Sequence, residues 1–183
     1  MKISEQTTDL ELAVIISQAP EVLGITATLV GGAAVSVHTH NEYKSVDLDF
    51  VTDARRENLL AVLKPLGFDL ARDKRHFHHP RSSYLIQFPT SPLEFGNRRV
   101  RHDEIPKLQT NWGPLRVITP TLCVMDRLAA FWHWNDRQSW DQAVMLARHA
   151  ELDFADLLSF AAGEGMAAQD IVKLQKIARE IND

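Results

Sequence analysis

Leu29-Val30-Gly31-Gly32-Ala33-Ala34-Val35 and, a short way on, Ser45-Val46-Asp47-Leu48-Asp49-Phe50-Val51 are the two runs whose reading decides the fold. The first closes an apolar, β-branched stretch, Ile25-Thr26-Ala27-Thr28-Leu29-Val30, which reads as a buried strand. Gly31-Gly32 ends that strand, Ala33 to His38 follows as a short helix, and Asn41-Glu42-Tyr43-Lys44 makes a polar connection. The second run alternates with period two, so Val46, Leu48 and Phe50 point one way and Asp47 and Asp49 the other. Two carboxylates spaced this way stand about 7 Å apart at the backbone, close enough for both to reach one or two divalent cations. Burying them with neither a cation nor a partner is destabilising, whereas on a strand open to water the same pair is simply solvated. Glycines at the turn admit close approach of backbone N–H groups to a phosphate, and a helix N-terminus favours the anion. A strand, a diglycine turn, a helix and an acid-bearing strand, in that order, describe a triphosphate seat facing a metal-binding pair.

The bulk composition is that of an ordinary globular protein: 183 residues, 45% hydrophobic and 24% charged. Twenty Lys and Arg against 24 Asp and Glu give a net charge of -4, which excludes a global basic field for nucleic acid while leaving a local basic cleft possible. The single cysteine, Cys123, excludes an intramolecular disulfide, and its apolar setting, Leu122-Cys123-Val124-Met125, reads as a small buried hydrophobe. Met1 to Gln6 lack the layout of a signal peptide, and no apolar stretch approaches the ~20 residues of a membrane span, so the cytoplasm is the expected location.

Outward from the central runs, Thr8-x-x-Glu11 has the form of a capping box opening a helix that stops before Pro20. Asp53 is the expected cap of a helix carrying Leu59, Leu60, Val62 and Leu63, ended by Pro65 and Gly67. Strands are expected at 68–72, 75–79, 83–88 and 92–95, with turns at Pro80 and at Thr90-Ser91-Pro92. The stretch 97–113 reads as irregular, and Leu115-Arg116-Val117-Ile118 as a last strand. From Thr119 the period becomes helical. One helix opens on Thr119-Pro120; a second starts near Gln138 and buries Trp140, Ala143, Val144 and Ala147. A third carries Phe154, Leu157, Leu158 and Ala161, and a fourth covers roughly 168–181. The expected organisation is an α/β (α+β) core over 1–118, with a mixed sheet flanked by helices, and a C-terminal helical bundle over 119–183 packed on it.

Across residues 28–51 the diglycine turn and the h-Asp-h-Asp-h strand resemble the signature of the DNA polymerase β-type nucleotidyltransferase superfamily. The Gly-Gly variant, with Ala33 following and Ser45 two residues before Asp47, is most similar to the AbiEii-type toxin nucleotidyltransferases and their bacterial relatives. The resemblance implies the nucleotidyltransferase fold, an NTP substrate seated at Gly31 and Gly32, and Mg²⁺ (or Mn²⁺) held by Asp47 and Asp49. It further implies transfer of a nucleotidyl group to RNA, protein or a small molecule, and for a toxin-like protein acting on tRNA or protein, an antitoxin partner. A weaker echo lies at 126–141: Arg127 on one helix, then Arg137-Gln138-Ser139-Trp140-Asp141 on the next, where Gln138 departs from an Arg-Asp-x-x-Asp pattern. By resemblance Arg127 or Arg137 contacts nucleotide phosphate and Asp141 organises the site; the other reading is an ion-pair network between packed helices.

Active members of the superfamily place a third carboxylate on a later strand, and here the inward polar residue of Ser83 to Phe88 is Gln87. An amide cannot take a proton from an attacking hydroxyl and is a poorer Mg²⁺ ligand, which leaves Glu94 as the nearest replacement. Three readings follow: a transferase, a degenerate relative that binds nucleotide or a protein partner, and a structural protein with a solvated acid pair. His76, His78 and His79, with His38 and His40 earlier, lack an obvious set of three or four converging zinc ligands, and read as surface strand histidines. Arg72, Lys74, Arg75 and Arg81 around them form a modest basic cluster, read as a solvated hairpin. Trp132, Trp134 and Trp140 read mostly as inter-helix packing.

Overall fold

The computed structural model describes residues 3–89 and 91–180, so Thr90 of the expected turn and residue 181 of the last helix lie outside the described residues. Contacts divide the chain into two units: the described residues within 1–33, 45–93 and 100–118, and those within 34–44, 94–99 and 119–183.

In the first unit α1 (Asp9–Gln18) opens as the capping box requires, with Thr8 Oγ1 accepting from the Glu11 N–H at 3.2 Å. A 3₁₀ turn over Ala19–Leu23 follows, closed by Gly24 at φ 69°. β1 (Ala27–Val30) leads into α2 (Gly31–His38), which starts on the glycines themselves, earlier than the alanines predict, and passes to the second unit at Ala34. β2 (Asp47–Thr52) is entered through Ser45, whose Oγ donates to the Asp47 carbonyl at 2.8 Å. Asp53 does not cap α3 (Arg56–Leu63): the N-cap is Arg55, without a side-chain hydrogen bond, because the chain runs two further residues before it turns helical.

β3 (Asp69–Leu70), β4 (His76–His78) and β5 (Leu85–Gln87) complete a five-stranded sheet in the order β1-β2-β5-β4-β3. β2 is internal, antiparallel to β1 and parallel to β5, while β5, β4 and β3 pair antiparallel. Leu48, Ile86 and Phe77 line up across three strands as a buried row, and Phe88 packs between Phe50 and Phe77 at ring distances of 5.9 and 5.7 Å. The strand expected at 92–95 is β6 (Glu94–Phe95), which pairs with β7 (Arg98–Arg99) as a separate hairpin of the second unit. The expected irregular stretch 97–113 holds a further strand, β8 (Lys107–Thr110), hairpinned to β9 (Gly113–Arg116). The turn at Asn111-Trp112 is tied by Thr110 Oγ1 donating to the Gly113 carbonyl at 2.6 Å. The polar composition of β8, with little apolar alternation, hides it from a periodicity argument.

The second unit contains α4 (Pro120–Trp134), α5 (Arg137–His149), α6 (Phe154–Gly163) and α7 (Gln169–Arg179). Thr119, Asp136 and Asp153 cap the first three through their side chains. α5 buries Ser139, Gln142, Ala143, Leu146 and Ala147, so its inner face is rotated from the predicted one and Trp140 and Val144 are only half-buried. On α6 the buried positions are Leu157, Phe160 and Ala161, while Leu158 is exposed. Trp132 stacks on Phe160 and donates to Asp170 at 3.0 Å, and Trp140 packs on Phe131, but Trp134 is exposed. Cys123 is fully buried, as its apolar neighbours predict, and burial pushes its thiol far up. No helix among the described residues is long and apolar enough to cross a membrane.

Candidate active site

Period two on β2 places Asp47 and Asp49 on one face, both half-exposed, with Leu48 and Phe50 buried on the other. Val30, the last residue of β1, is the register partner of Asp49. The next residue, Gly31, has φ 63°, a left-handed conformation that a side chain would strain. The diglycine bend therefore leaves the sheet at the end where Asp47 enters it. Ser45 lies beside that end, and its Oγ also accepts from the Asp47 N–H at 3.4 Å.

On the other side of β2 the partner of Asp49 is Gln87, and that of Asp47 is Leu85. Gln87 is thus the inward polar residue of the neighbouring strand, half-buried, on the same face as the acid pair. Gln87 pairs in turn with His76 of β4. The His76 Nδ1 lies 2.6 Å from Asp73 Oδ2, and Asp73 Oδ1 accepts from the N–H groups of Arg75 and His76 at 2.8 and 3.1 Å. These bonds, that of the Arg75 amide foremost, draw the Asp73 carboxyl down to about 2. The sequence reading missed this pair; its signal is Asp73-x-x-His76 across the turn from β3 to β4.

The other histidines divide. His78 is exposed, while His79 is buried against Phe68 and accepts from the Arg81 N–H at 3.1 Å, so it is not the surface histidine expected. Burial, then the Arg81 charge, lowers its pKa. Arg72, Lys74, Arg75 and Arg81 are exposed. No group of three His, Cys, Asp or Glu able to hold a metal occurs among the described residues. In the same unit His102 Nδ1 bonds the buried Thr28 Oγ1 at 2.7 Å, and burial lowers the imidazole pKa.

The remaining candidates belong to the second unit. Glu94 is exposed on the β6–β7 hairpin, not on the sheet that carries the aspartates. Arg127 is held between α4 and α5: its guanidinium reaches Asp126 at 2.6 Å, Gln142 at 3.0 Å and Ser139 at 3.5 Å. Burial opposes the charge on Arg127, but Asp126 and Asp136 outweigh it and raise the pKa. This is the inter-helix network. Arg137 and Asp141 are exposed on α5.

A mixed sheet with a diglycine bend beside an acid-bearing internal strand, in a chain that also carries a mainly helical second unit, is a nucleotidyltransferase-like α/β fold. Solved structures share it. An antigenic nucleotidyltransferase-like protein from Paracoccidioides brasiliensis aligns over 98% of this chain and 95% of its own, at 13% identity and a TM-score of 0.61. The antibiotic-resistance factor ANT(2'')-Ia aligns in its solution structure over 94% of each chain, at 13% identity and a TM-score of 0.52. Its crystal structure with adenylyl-2''-tobramycin aligns over 96% of this chain and 100% of that one, at 13% identity and a TM-score of 0.54. At such identity the likeness is one of fold. No protein-family model and no curated protein sequence matches the chain.

Proposed function

We propose that this chain binds a nucleoside triphosphate with Mg²⁺ (or Mn²⁺) and transfers its nucleotidyl group to an acceptor hydroxyl. The observation that carries the proposal is register: Val30, immediately before Gly31-Gly32, lies beside Asp49. Phosphate-seating amides and an acid pair thereby share one end of two adjacent strands. Likeness of fold to nucleotidyltransferases supports the same reading.

The donor set fits the cation. Mg²⁺ is commonly held through one or two carboxylates, with water and substrate phosphate oxygens completing its shell, and Asp47 and Asp49 supply that pair on a half-exposed face. When bound, the cation would offset the negative charge that builds on the phosphates during transfer. The amides at Gly31 and Gly32 would seat the phosphates, and Ser45 would hold the entry to β2 so that Asp47 faces them. Nucleotide contact by Arg137 and Asp141, exposed on α5, rests on the resemblance alone, and Arg127 is engaged between α4 and α5. For the acceptor, the neighbour bound to adenylyl-2''-tobramycin supports a small hydroxylated molecule. The AbiEii-like motif supports tRNA or protein, with an antitoxin partner.

One observation favours a second reading, nucleotide binding without transfer: Gln87, not a carboxylate, stands beside Asp49. Thermal unfolding with Mg²⁺ and each NTP tests the shared claim. Saturation at a hundred times Kd stabilises by about 2.7 kcal/mol, and Asp47→Ala and Asp49→Ala should each abolish the shift. A wild-type chain indifferent to all four NTPs overturns both readings. Incorporation of labelled nucleotide into tobramycin, bulk tRNA or protein separates transfer from binding.

A further inference from the structure

One row across the sheet joins three polar residues. Asp49 pairs with Gln87 across β2 and β5, and Gln87 pairs with His76 across β5 and β4. Register partners on adjacent strands project to the same side, and the opposite side is the buried row of Leu48, Ile86 and Phe77. Strands lie about 4.8 Å apart, so the Cα atoms of His76 and Asp49 are separated by roughly 10 Å. Gln87 stands between them in the row, so a substrate hydroxyl that meets both a carboxylate of the acid pair and the imidazole would lie over its amide. The His76 side chain is 24% exposed, open enough to meet a substrate and packed enough to hold one orientation.

Asp73 decides which ring nitrogen faces the substrate. Its carboxyl, drawn down to about 2 by the Arg75 amide and the His76 ring and amide, is ionised at neutral pH. An ionised carboxylate only accepts hydrogen bonds, so Nδ1 must carry the proton in the 2.6 Å contact. In the neutral ring Nε2 then bears the lone pair. The turn that places Asp73 is tight, with the Ala71 N–H donating to the His76 carbonyl at 2.8 Å and the Lys74 N–H to the Ala71 carbonyl at 2.9 Å.

We propose that His76 is the general base for nucleotidyl transfer, held in its base-competent tautomer by Asp73, in place of the carboxylate that Gln87 replaces. The proposal rests on the transferase reading above. The acceptor O–H gives its proton to Nε2 as the oxygen lone pair forms a bond to the α-phosphorus. The bond from that phosphorus to the oxygen bridging to the β-phosphate breaks, and its electron pair leaves with pyrophosphate. The imidazolium so formed faces the Asp73 carboxylate and later releases its proton to water. His76 is the catalytic residue in this scheme and Asp73 a positioning residue.

Two measurements test it. On the metal-free wild-type protein, long-range proton–nitrogen correlation spectra should show the His76 ring protonated at Nδ1 and bare at Nε2, and Asp73→Asn should change that tautomer balance. A ring protonated at Nε2 in the wild-type protein overturns the proposal without any assay of turnover. In kinetics, pyrophosphate release from Mg²⁺ and each NTP is followed with tobramycin and with bulk tRNA as acceptors. His76→Ala should lower kcat by about 10²–10³-fold and leave nucleotide affinity within twofold, the loss expected on removing a general base. Added imidazole should restore at least tenfold of it, which no purely structural role would allow. Asp73→Asn should lower kcat about tenfold with KM unchanged. A His76→Ala protein that turns over at the wild-type rate while Asp49→Ala is dead overturns His76 alone. A wild-type protein that binds nucleotide and releases no pyrophosphate overturns the base and the transferase reading together, leaving nucleotide binding.

Discussion

The row Asp49–Gln87–His76 in the sheet and the clasp around Arg127 between α4 and α5 are both clusters of polar side chains, and they dispose of their polarity in opposite ways. In the clasp a cation only 16% exposed meets Asp126, Gln142 and Ser139, and Asp136 in turn accepts from the Ser139 hydroxyl at 2.7 Å. Both terminal nitrogens of the guanidinium are partnered, and its buried Nε is not. In the row, half-exposed side chains stand abreast along one face of a sheet, and the hydrogen bonds around His76 fix a tautomer without consuming Nε2. A charged residue inside a family-like motif is therefore weak evidence for a ligand until its neighbours are known. Arg127 comes from the weaker echo and Asp49 from the stronger motif, and the burial of Arg127 among Asp126, Gln142 and Ser139 widens the difference.

Substitution breaks or sharpens that contrast. The largest effect should fall on the row: Asp49→Ala is expected to lower transfer by at least about 10³-fold, a loss of roughly 4 kcal/mol in transition-state stabilisation. Its unfolding free energy should fall by no more than about 1 kcal/mol, as for a partly exposed side chain outside the core. Arg127→Ala should do the reverse. Stranding Asp126 and the Gln142 amide should cost about 3 kcal/mol of stability in urea melts, while nucleotide affinity of the protein that remains folded is unchanged. An Arg127→Ala protein of normal stability that no longer binds NTP would restore the phosphate-contact reading and erase the contrast. A smaller loss, about 1 kcal/mol, is expected for Asp136→Ala, which removes the N-cap of α5.

Sequence legibility follows the same divide. The acid pair was readable because a strand's period is two and the aspartates fall on one parity, and the bend because glycine adopts Gly31's φ of 63° without the strain a side chain brings. The parity of Gln87 was readable too. What local sequence does not encode is that β5 lies parallel beside β2, bringing Gln87 level with Asp49, and that β4 follows with His76. The face of α5 was misjudged for a related reason: Ser139 and Gln142 are buried because a guanidinium on another helix needs them, which helical periodicity treats as a polar face. Asp53 looked like a cap because Asp caps helices, yet Arg55 takes that position through backbone geometry alone.

The smallest contrast is one of pH. In the first unit His102 and His79 have lowered pKa values, chiefly through burial; Asp53 and Asp103 act against the shift at His102 and Arg116 with it, while Arg81 adds to it at His79. A histidine lowered in the folded state leaves the unfolded chain to bind its proton first. Its contribution is therefore complete above the usual value of 6.5 and is lost as pH falls through the window below it. In the second unit Asp136 and Asp170 are lowered carboxylates, as Asp73 and Asp103 are in the first. Asp136 is lowered first by the Ser139 hydroxyl, and Asp170, against its burial, by Lys173 and Trp132. Their contribution is complete above 3.8 and lost only beneath it. Between about pH 6 and 4.5 the amides of the first unit should lose protection from hydrogen exchange, after correction for intrinsic rates, while those of α5 and α7 keep theirs. His102→Gln should flatten part of the first unit's response. Equal loss in both units, or an unaltered acid response in His102→Gln, would show that burial of these imidazoles does not govern the acid limb.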